Sequence, residues 1–196
     1  MWRGLDAFRT EAAEVDLRDD RLQARGTQIG LAPVAYRLDY ELSTGEGFVT
    51  SSLRVSASGE CWSRGLELLR GDDCWTVAVE ASGDVELSEP GGAAATFAEA
   101  LDCDLGLCPL TNTMPILRGG LLEDGAGEQD FVMAWVEVPS LAVSRSEQTY
   151  RHLRRDGDRA VVRYGGSHRG GAWDIEVDRR GLVTRYEDLS ERMSPA

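Results

Sequence analysis

Asp102 and Asp104 flank Cys103. Two carboxylates at that spacing are the pair with which sugar-nucleotide transferases hold a divalent cation near a diphosphate. In an extended chain, side chains alternate between faces, so Asp102 and Asp104 share one face while Leu101, Cys103 and Leu105 share the other. The plain expectation is a pair of solvated positions at a sheet edge. Thirteen residues without a charge follow, from 105 to 117, in a chain that is 28% charged. Within them, Pro109 and Pro115 bracket Thr111, Asn112 and Thr113. Each proline removes a backbone donor, which suits the segment poorly to a central strand. Two hydroxyls and an amide between apolar flanks can hydrogen-bond a sugar hydroxyl or an ester carbonyl. The same triplet also suits a buried bend whose side chains satisfy their own backbone.

The remaining reactive side chains form no recognised constellation. The sequence contains no GxSxG, HExxH, Walker A or GxGxxG pattern. His168 lies in GGSHRGG (165–171), which lacks the Lys-Ser/Thr of a phosphate loop and reads as a hairpin loop. His152 lies among arginines in TYRHLRR and reads as part of a solvated face. Cys61, Cys74, Cys103 and Cys108 show no CxxC spacing, and only two histidines accompany them, so neither a zinc site nor any other cofactor is expected. Each of Cys61 and Cys74 precedes a tryptophan, and all four are expected to be buried thiols. No catalytic residue is assigned. A glycosidase-type acid pair cannot be picked from 34 acids without geometry.

Side-chain chemistry of this kind has to be positioned by strands, because period-two alternation is the main pattern. In YRLDYELS, Tyr36, Leu38, Tyr40 and Leu42 point one way and Arg37, Asp39, Glu41 and Ser43 the other. TGEG and FVTSSLRVSA complete a β-hairpin. RGLELLR, GDD and CWTVAVEA make a second, and AWDIEVD, RRG and LVTRYEDL a third. FVMAWVEV is apolar on both faces, with Phe131, Met133, Trp135 and Glu137 on one and Val132, Ala134, Val136 and Val138 on the other. Such a strand has water on neither side, so one face needs a covering layer or lines a cavity. LDAFRTEAAEV and EDLSERM read as short terminal helices, and SEPGGAAATFAEA (88–100) as a loop. The segments DYELSTGEGFVT and DIEVDRRGLVT match with one gap, which allows an internal duplication. The expected fold is mainly β: antiparallel curved sheets forming a roll or partly open barrel, in one domain over 1–196, with two duplicated halves and short terminal helices as options.

Composition excludes several functions. The formal net charge is −13, and the 21 basic residues are all arginine. Nucleic-acid binding and electrostatic docking on anionic lipid are therefore not expected. The sequence has no apolar run long enough to span a membrane, and its first fifteen residues lack a signal-peptide core, so a cytoplasmic location is expected.

With YRLDYEL, LDCDLGLCPLTNTMPI, AWVEVPSLAVSRSEQTYRHL and WDIEVDRRGLVTRYEDL in order, most of the chain resembles the bacterial putative glycolipid-binding protein family, formerly a domain of unknown function. The resemblance implies a β-rich roll and an amphiphilic, glycolipid-like ligand. By motif position it points to Thr111, Asn112, Thr113, Trp135, Glu137 and Tyr150, with Tyr40 on the first hairpin, as ligand-binding candidates. The expected function is non-catalytic binding of an acylated amphiphile in an apolar cavity with a polar mouth. The alternative is a hydrolase acting on such a ligand, and a homodimer is among the admissible assemblies.

Overall fold

The computed structural model describes residues 1–72, 74–168 and 170–193. The backbone forms one continuous sheet: β1 (Trp2–Gly4), β2 (Arg9–Leu17), β3 (Leu22–Gly30), β4 (Tyr36–Thr44), β5 (Thr50–Ser58), β6 (Trp62–Arg70), β7 (Trp75–Gly83), β8 (Asp102–Leu105), β9 (Gln129–Val136), β10 (Val143–Asp156), β11 (Arg159–Gly166), β12 (Gly171–Asp178), β13 (Val183–Tyr186) and β14 (Ser190–Arg192). The order across the sheet is β7-β6-β5-β4-β3-β2-β1-β14-β13-β12-β11-β10-β9-β8. Neighbours are antiparallel apart from β8 and β9, which run parallel. The sheet does not close on itself, so the fold is the expected open, curved β-roll. One helix, α1 (Thr113–Arg118), is the only α-helix among the described residues.

The chain is thus two meanders joined at their centre, where β1 pairs with β14 (Trp2 opposite Arg192). The first half follows from alternation. Tyr36, Leu38, Tyr40 and Leu42 are buried on β4, opposite Leu53, Val55 and Ala57 of β5. Two tyrosines on β4 lie over glycines on β3: Tyr40 faces Gly26 and Tyr36 faces Gly30. A Cβ at Gly26 would fall 2.5 Å from the Tyr40 ring, so the glycine provides the space the ring fills. A seven-plus-seven repeat would set β4 against β11. The likeness between residues 39–50 and 174–184 instead pairs β4 with β12, one strand out of step.

A strap of chain fills the concave side. It runs through a 3-10 turn (Ala94–Phe97), edge strand β8, a second 3-10 turn (Pro109–Asn112) and α1. Phe97, Leu105, Leu110 and Met114 pack on the first half, while Ile116 and Leu121 pack on the second. Strand β9 serves both cores, since Ala134 and Val136 belong to one and Met133 to the other. Its two apolar faces are therefore covered by protein.

Three expectations are corrected. The stretch read as an N-terminal helix contains β2, and the one read as a C-terminal helix contains β14. In β2 the inward positions Arg9 and Glu11 are polar, which hid the alternation, and pairing with β3 over nine positions overrides the helix propensity of Ala12-Ala13-Glu14. Cys61 and Cys74 are exposed, because each sits in the turn just before a strand whose first residue is the buried tryptophan; Cys103 and Cys108 are buried as expected.

Candidate functional site

Between the strap and the two walls lies a seam of buried polar side chains. On the second wall it starts from register. Parallel pairing sets Asp104 beside Trp135, and antiparallel pairing sets Gln148 opposite Phe131 and Ser146 opposite Met133. These side chains share the inner face of β8–β10. Gln148 Nε2 donates to Asp104 Oδ2 at 2.6 Å, and Thr111 Oγ1 donates to Asp104 Oδ1 at 2.8 Å. Tyr150 lies two positions along β10, and its hydroxyl bridges Gln148 Oε1 at 2.9 Å and Asn112 Oδ1 at 3.0 Å. Asn112 Nδ2 returns to Pro109 O at 3.2 Å. Burial raises the Asp104 pKa, while its hydrogen bonds from Gln148 and Thr111 and the nearby His168 oppose that rise.

Trp135 is half-buried beside this carboxylate, and the His168 ring stacks on its indole with centroids 4.0 Å apart and planes 16° off parallel. His168 Nε2 lies 3.3 Å from Arg145 O. Behind the seam is an aromatic cluster: Tyr150 meets Phe131 and Tyr164 edge-on at 5.6 and 5.2 Å. Asp102, read as solvated, is fully buried and ion-paired with Arg118. Both carboxylates of β8 point inward because the strap wraps over that edge. Inward charge on an edge strand also blunts pairing with another chain. Burial raises the Asp102 pKa despite the arginine.

A second cluster lies on the first wall. Tyr40 Oη donates to Glu11 Oε1 at 2.8 Å, and Cys108 Sγ lies 3.2 Å from the same oxygen. Tyr36 Oη donates to Gln28 Oε1 at 2.5 Å, and Gln28 Nε2 donates to Leu107 O at 3.2 Å. Burial pushes the Glu11 carboxyl, the Cys108 thiol and the Tyr40 phenol all upward, and Tyr36 to about 12. A thiol shifted that way stays protonated and is a poor nucleophile. Thr111 Oγ1 also reaches Cys108 O at 3.0 Å, so the strap ties the two clusters together.

The structure therefore gathers Thr111, Asn112 and Tyr150 into one network and puts Trp135 on the same wall. Tyr40 belongs to the opposite cluster. Glu137 sits one residue past β9, where its carboxylate accepts from Ser140 Oγ. Thr113 is fully buried and its hydroxyl has no hydrogen-bond partner among the described residues. The sequence reading missed Asp104 and His168 as neighbours of Trp135, and Gln148 as the partner of Asp104. Alternation in SRSEQTY, with Ser146, Gln148 and Tyr150 on one face, was the available signal. His152 was expected on a solvated face; its ring instead lies 2.9 Å from Leu121 O through Nδ1 and 3.0 Å from Asp124 Oδ1 through Nε2, which pins the strap's end to β10.

The outer face carries a further depression, of about 800 Å3, crossing the middles of β2 to β7. Its sides hold the pairs Arg25–Glu14 and Arg54–Glu67.

A family model described as "Putative glycolipid-binding" matches residues 1–192. The crystal structure of a DUF1089 family protein from Pseudomonas aeruginosa superposes with a TM-score of 0.70 at 26% identity, over 94% of this chain and 92% of that one. No curated protein matches the sequence.

Proposed function

Because the chain belongs to the family described as "Putative glycolipid-binding", we propose that it binds a glycolipid or similar acylated amphiphile and leaves it chemically unchanged. The headgroup is held at the seam beside Trp135. One observation carries this reading: a half-buried indole shares a wall with the Asp104 carboxylate and the Gln148 amide, beside the stacked His168 ring. An aromatic face flanked by hydrogen-bonding groups is the chemistry a sugar ring asks for, because one ring face is apolar and its rim is hydroxyl. Two features support binding over hydrolysis. The Cys108 thiol, beside a carboxylate, is pushed up by burial, and the His168 ring lies flat on an indole.

The apolar part of the ligand is the portion that the concave side would have to admit. Strap side chains fill that side, and burying each is worth about 1.5–3 kcal/mol. An acyl chain therefore enters only by taking the place of strap residues, and the entry point is the Gly106–Leu107 turn next to Trp135. Gly106 N donates to Val136 O at 2.8 Å there, and half-buried Leu107 touches both cores.

Calorimetric titration with a neutral alkyl glycoside, and with a fatty acid of equal chain length, tests the proposal. The wild type should prefer the glycoside. Trp135→Ala should weaken glycoside binding by roughly tenfold, as expected for about 1.4 kcal/mol of stacking. Equal affinity for the two probes, or a Trp135→Ala variant that is folded and binds like the wild type, defeats the headgroup assignment.

A further inference from the structure

Most exposed apolar side chains of a soluble domain are scattered. Here four of the largest gather at one end of the central strands. Phe8 and Leu31 are 66% and 61% exposed, and Leu5 and Ile29 are each 41% exposed. Leu5, Phe8 and Leu31 lie on two loops that run side by side, with Leu31 N donating to Phe8 O at 3.3 Å, and Ile29 lies at the end of β3 just behind, paired with Thr10. From Ile29 to Tyr36 the chain has eight consecutive residues without a charge, and Leu31, Ala32, Pro33 and Ala35 among them are exposed. This occurs in a chain of net charge −13. The charges bordering the tip neutralise one another, with Arg9 paired to Asp6 at 3.1 Å and Arg37 to Asp39 at 3.0 Å. Exposed Glu60 follows Gly59, where an added Cβ would lie 2.9 Å from Ala35 O.

We propose that this tip, built on Phe8 and Leu31, is a docking prong that inserts into the interface of a lipid bilayer. Shape and size favour lipid over a second protein chain. The four side chains expose on the order of 400 Å2, taking ~200 Å2 for a fully exposed large side chain. A stable protein interface buries about 800 Å2 on each partner. A bilayer sets no such minimum, because loops that protrude can enter it one side chain at a time. The charge distribution agrees. An acidic molecule is repelled by anionic headgroups, so contact has to come through an end where most charges are paired, by apolar insertion into a neutral surface.

The tip also lies at the right end of the molecule. Gln28, one residue before Ile29, donates to Leu107 O, in the turn that borders Trp135. A prong seated in the bilayer would bring that turn to the surface where an acylated ligand resides. This deepens the reading above and relies on it only for why the contact is useful; insertion itself stands on the exposed side chains.

Co-sedimentation with vesicles of phosphatidylcholine alone tests it, because such vesicles contain no glycolipid and do not involve the seam. The wild type is expected to pellet with the vesicles. The double variant Phe8→Ser, Leu31→Ser should partition at least about tenfold less, since apolar area drives insertion. Leu69→Ser, an exposed apolar site elsewhere on the sheet, should partition like the wild type. Both changed tip residues are mostly exposed, so an unchanged melting temperature separates this loss from unfolding. Alkyl-glycoside binding should survive in the double variant; if it is lost as well, the tip acts on the seam and the proposal fails. Absence of vesicle binding by the wild type, or equal binding by the double variant, also overturns it. So does a concentration-dependent dimer in ultracentrifugation that the double variant abolishes, which would assign the tip to a second copy of the chain.

Discussion

The two halves of the sheet are built to different standards. Strands β2 to β7 are nine residues each, and their pairings are regular apart from one shift at Ser43/Thr44. Their inner wall is mostly leucine, valine, alanine and rings, with polar side chains at the Glu11 cluster and singly at Thr44, Thr50 and Arg64. Strands β9 to β13 run from four to fourteen residues, with register shifts at His152/Arg154 and Glu176/Val177. Their inner wall mixes rings with an amide and hydroxyls, and the Asp104 carboxylate of β8 lies beside it. A uniform wall packs well against many shapes of apolar chain. A mixed wall has directional partners and can reject a group that fails to satisfy them. In the proposed reading, the first half provides burial and the second provides discrimination.

Variants can break or sharpen this contrast. The largest effect should come from Arg118→Ala, which leaves Asp102 buried without its partner. Loss of about 3–5 kcal/mol is expected from chemical denaturation. The loss should shrink as pH falls, because a protonated Asp102 no longer needs the arginine. Next is Leu53→Ala, on the uniform wall and fully buried. It should cost about 3 kcal/mol, or a fall of roughly 6–12 °C in Tm, with alkyl-glycoside affinity unchanged in the folded protein. A variant that loses affinity along with stability would mean that the first wall discriminates too. Asn112→Ala on the mixed wall should cost less, about 1–3 kcal/mol, because Tyr150 and Gln148 are left to repartner. It should reduce glycoside binding more than fatty-acid binding, whereas Leu53→Ala is expected to leave glycoside affinity unchanged.

The smallest effect concerns Glu11. Burial raises its pKa above the ordinary 4.5. The folded state therefore holds its proton more tightly than the unfolded state, and stability falls as pH climbs from about that value through the raised one. Glu11→Gln should remove that slope, so that its stability relative to the wild type rises from acid to neutral pH. A denaturation profile with the same slope in both proteins would show that the carboxylate is ionised in the fold.

What the sequence disclosed follows the same division. The hairpins over 36–58 and 62–83 were legible because most of their inward positions are apolar, leaving Arg37, Glu41, Arg54 and Glu67 outward. β2 was not legible, because Arg9 and Glu11 occupy inward positions. Asp102 was misplaced for a related reason: alternation assigned its face, but only the partner sixteen residues later, on a helix the prolines disguised, makes that face an inner one. Pro115 lies within the first turn of α1, where its missing donor costs nothing. Of the seven candidate residues, Thr111 and Asn112 of the strap join Tyr150 in one network, and Trp135 lies on the same wall as Tyr150. That was readable only in part, since the seam is closed by pairings across long separations such as Gln148 with Asp104.

The junction of β1 with β14 has a kinetic consequence. Trp2 faces Arg192, so the strands that join the two halves come from opposite ends of the chain. Each meander can zip up from local hairpins, whose short loops cost little entropy to close. The junction must wait for the chain's last strand, and it closes the longest loop in the molecule. During synthesis, the first meander leaves the ribosome with its central edge bare, because β1 has only β2 beside it until residue 192 appears. Refolding should therefore show early formation of the hairpins and a slow step in which the Trp2 indole reaches Val183 O, its hydrogen-bond acceptor at 2.9 Å.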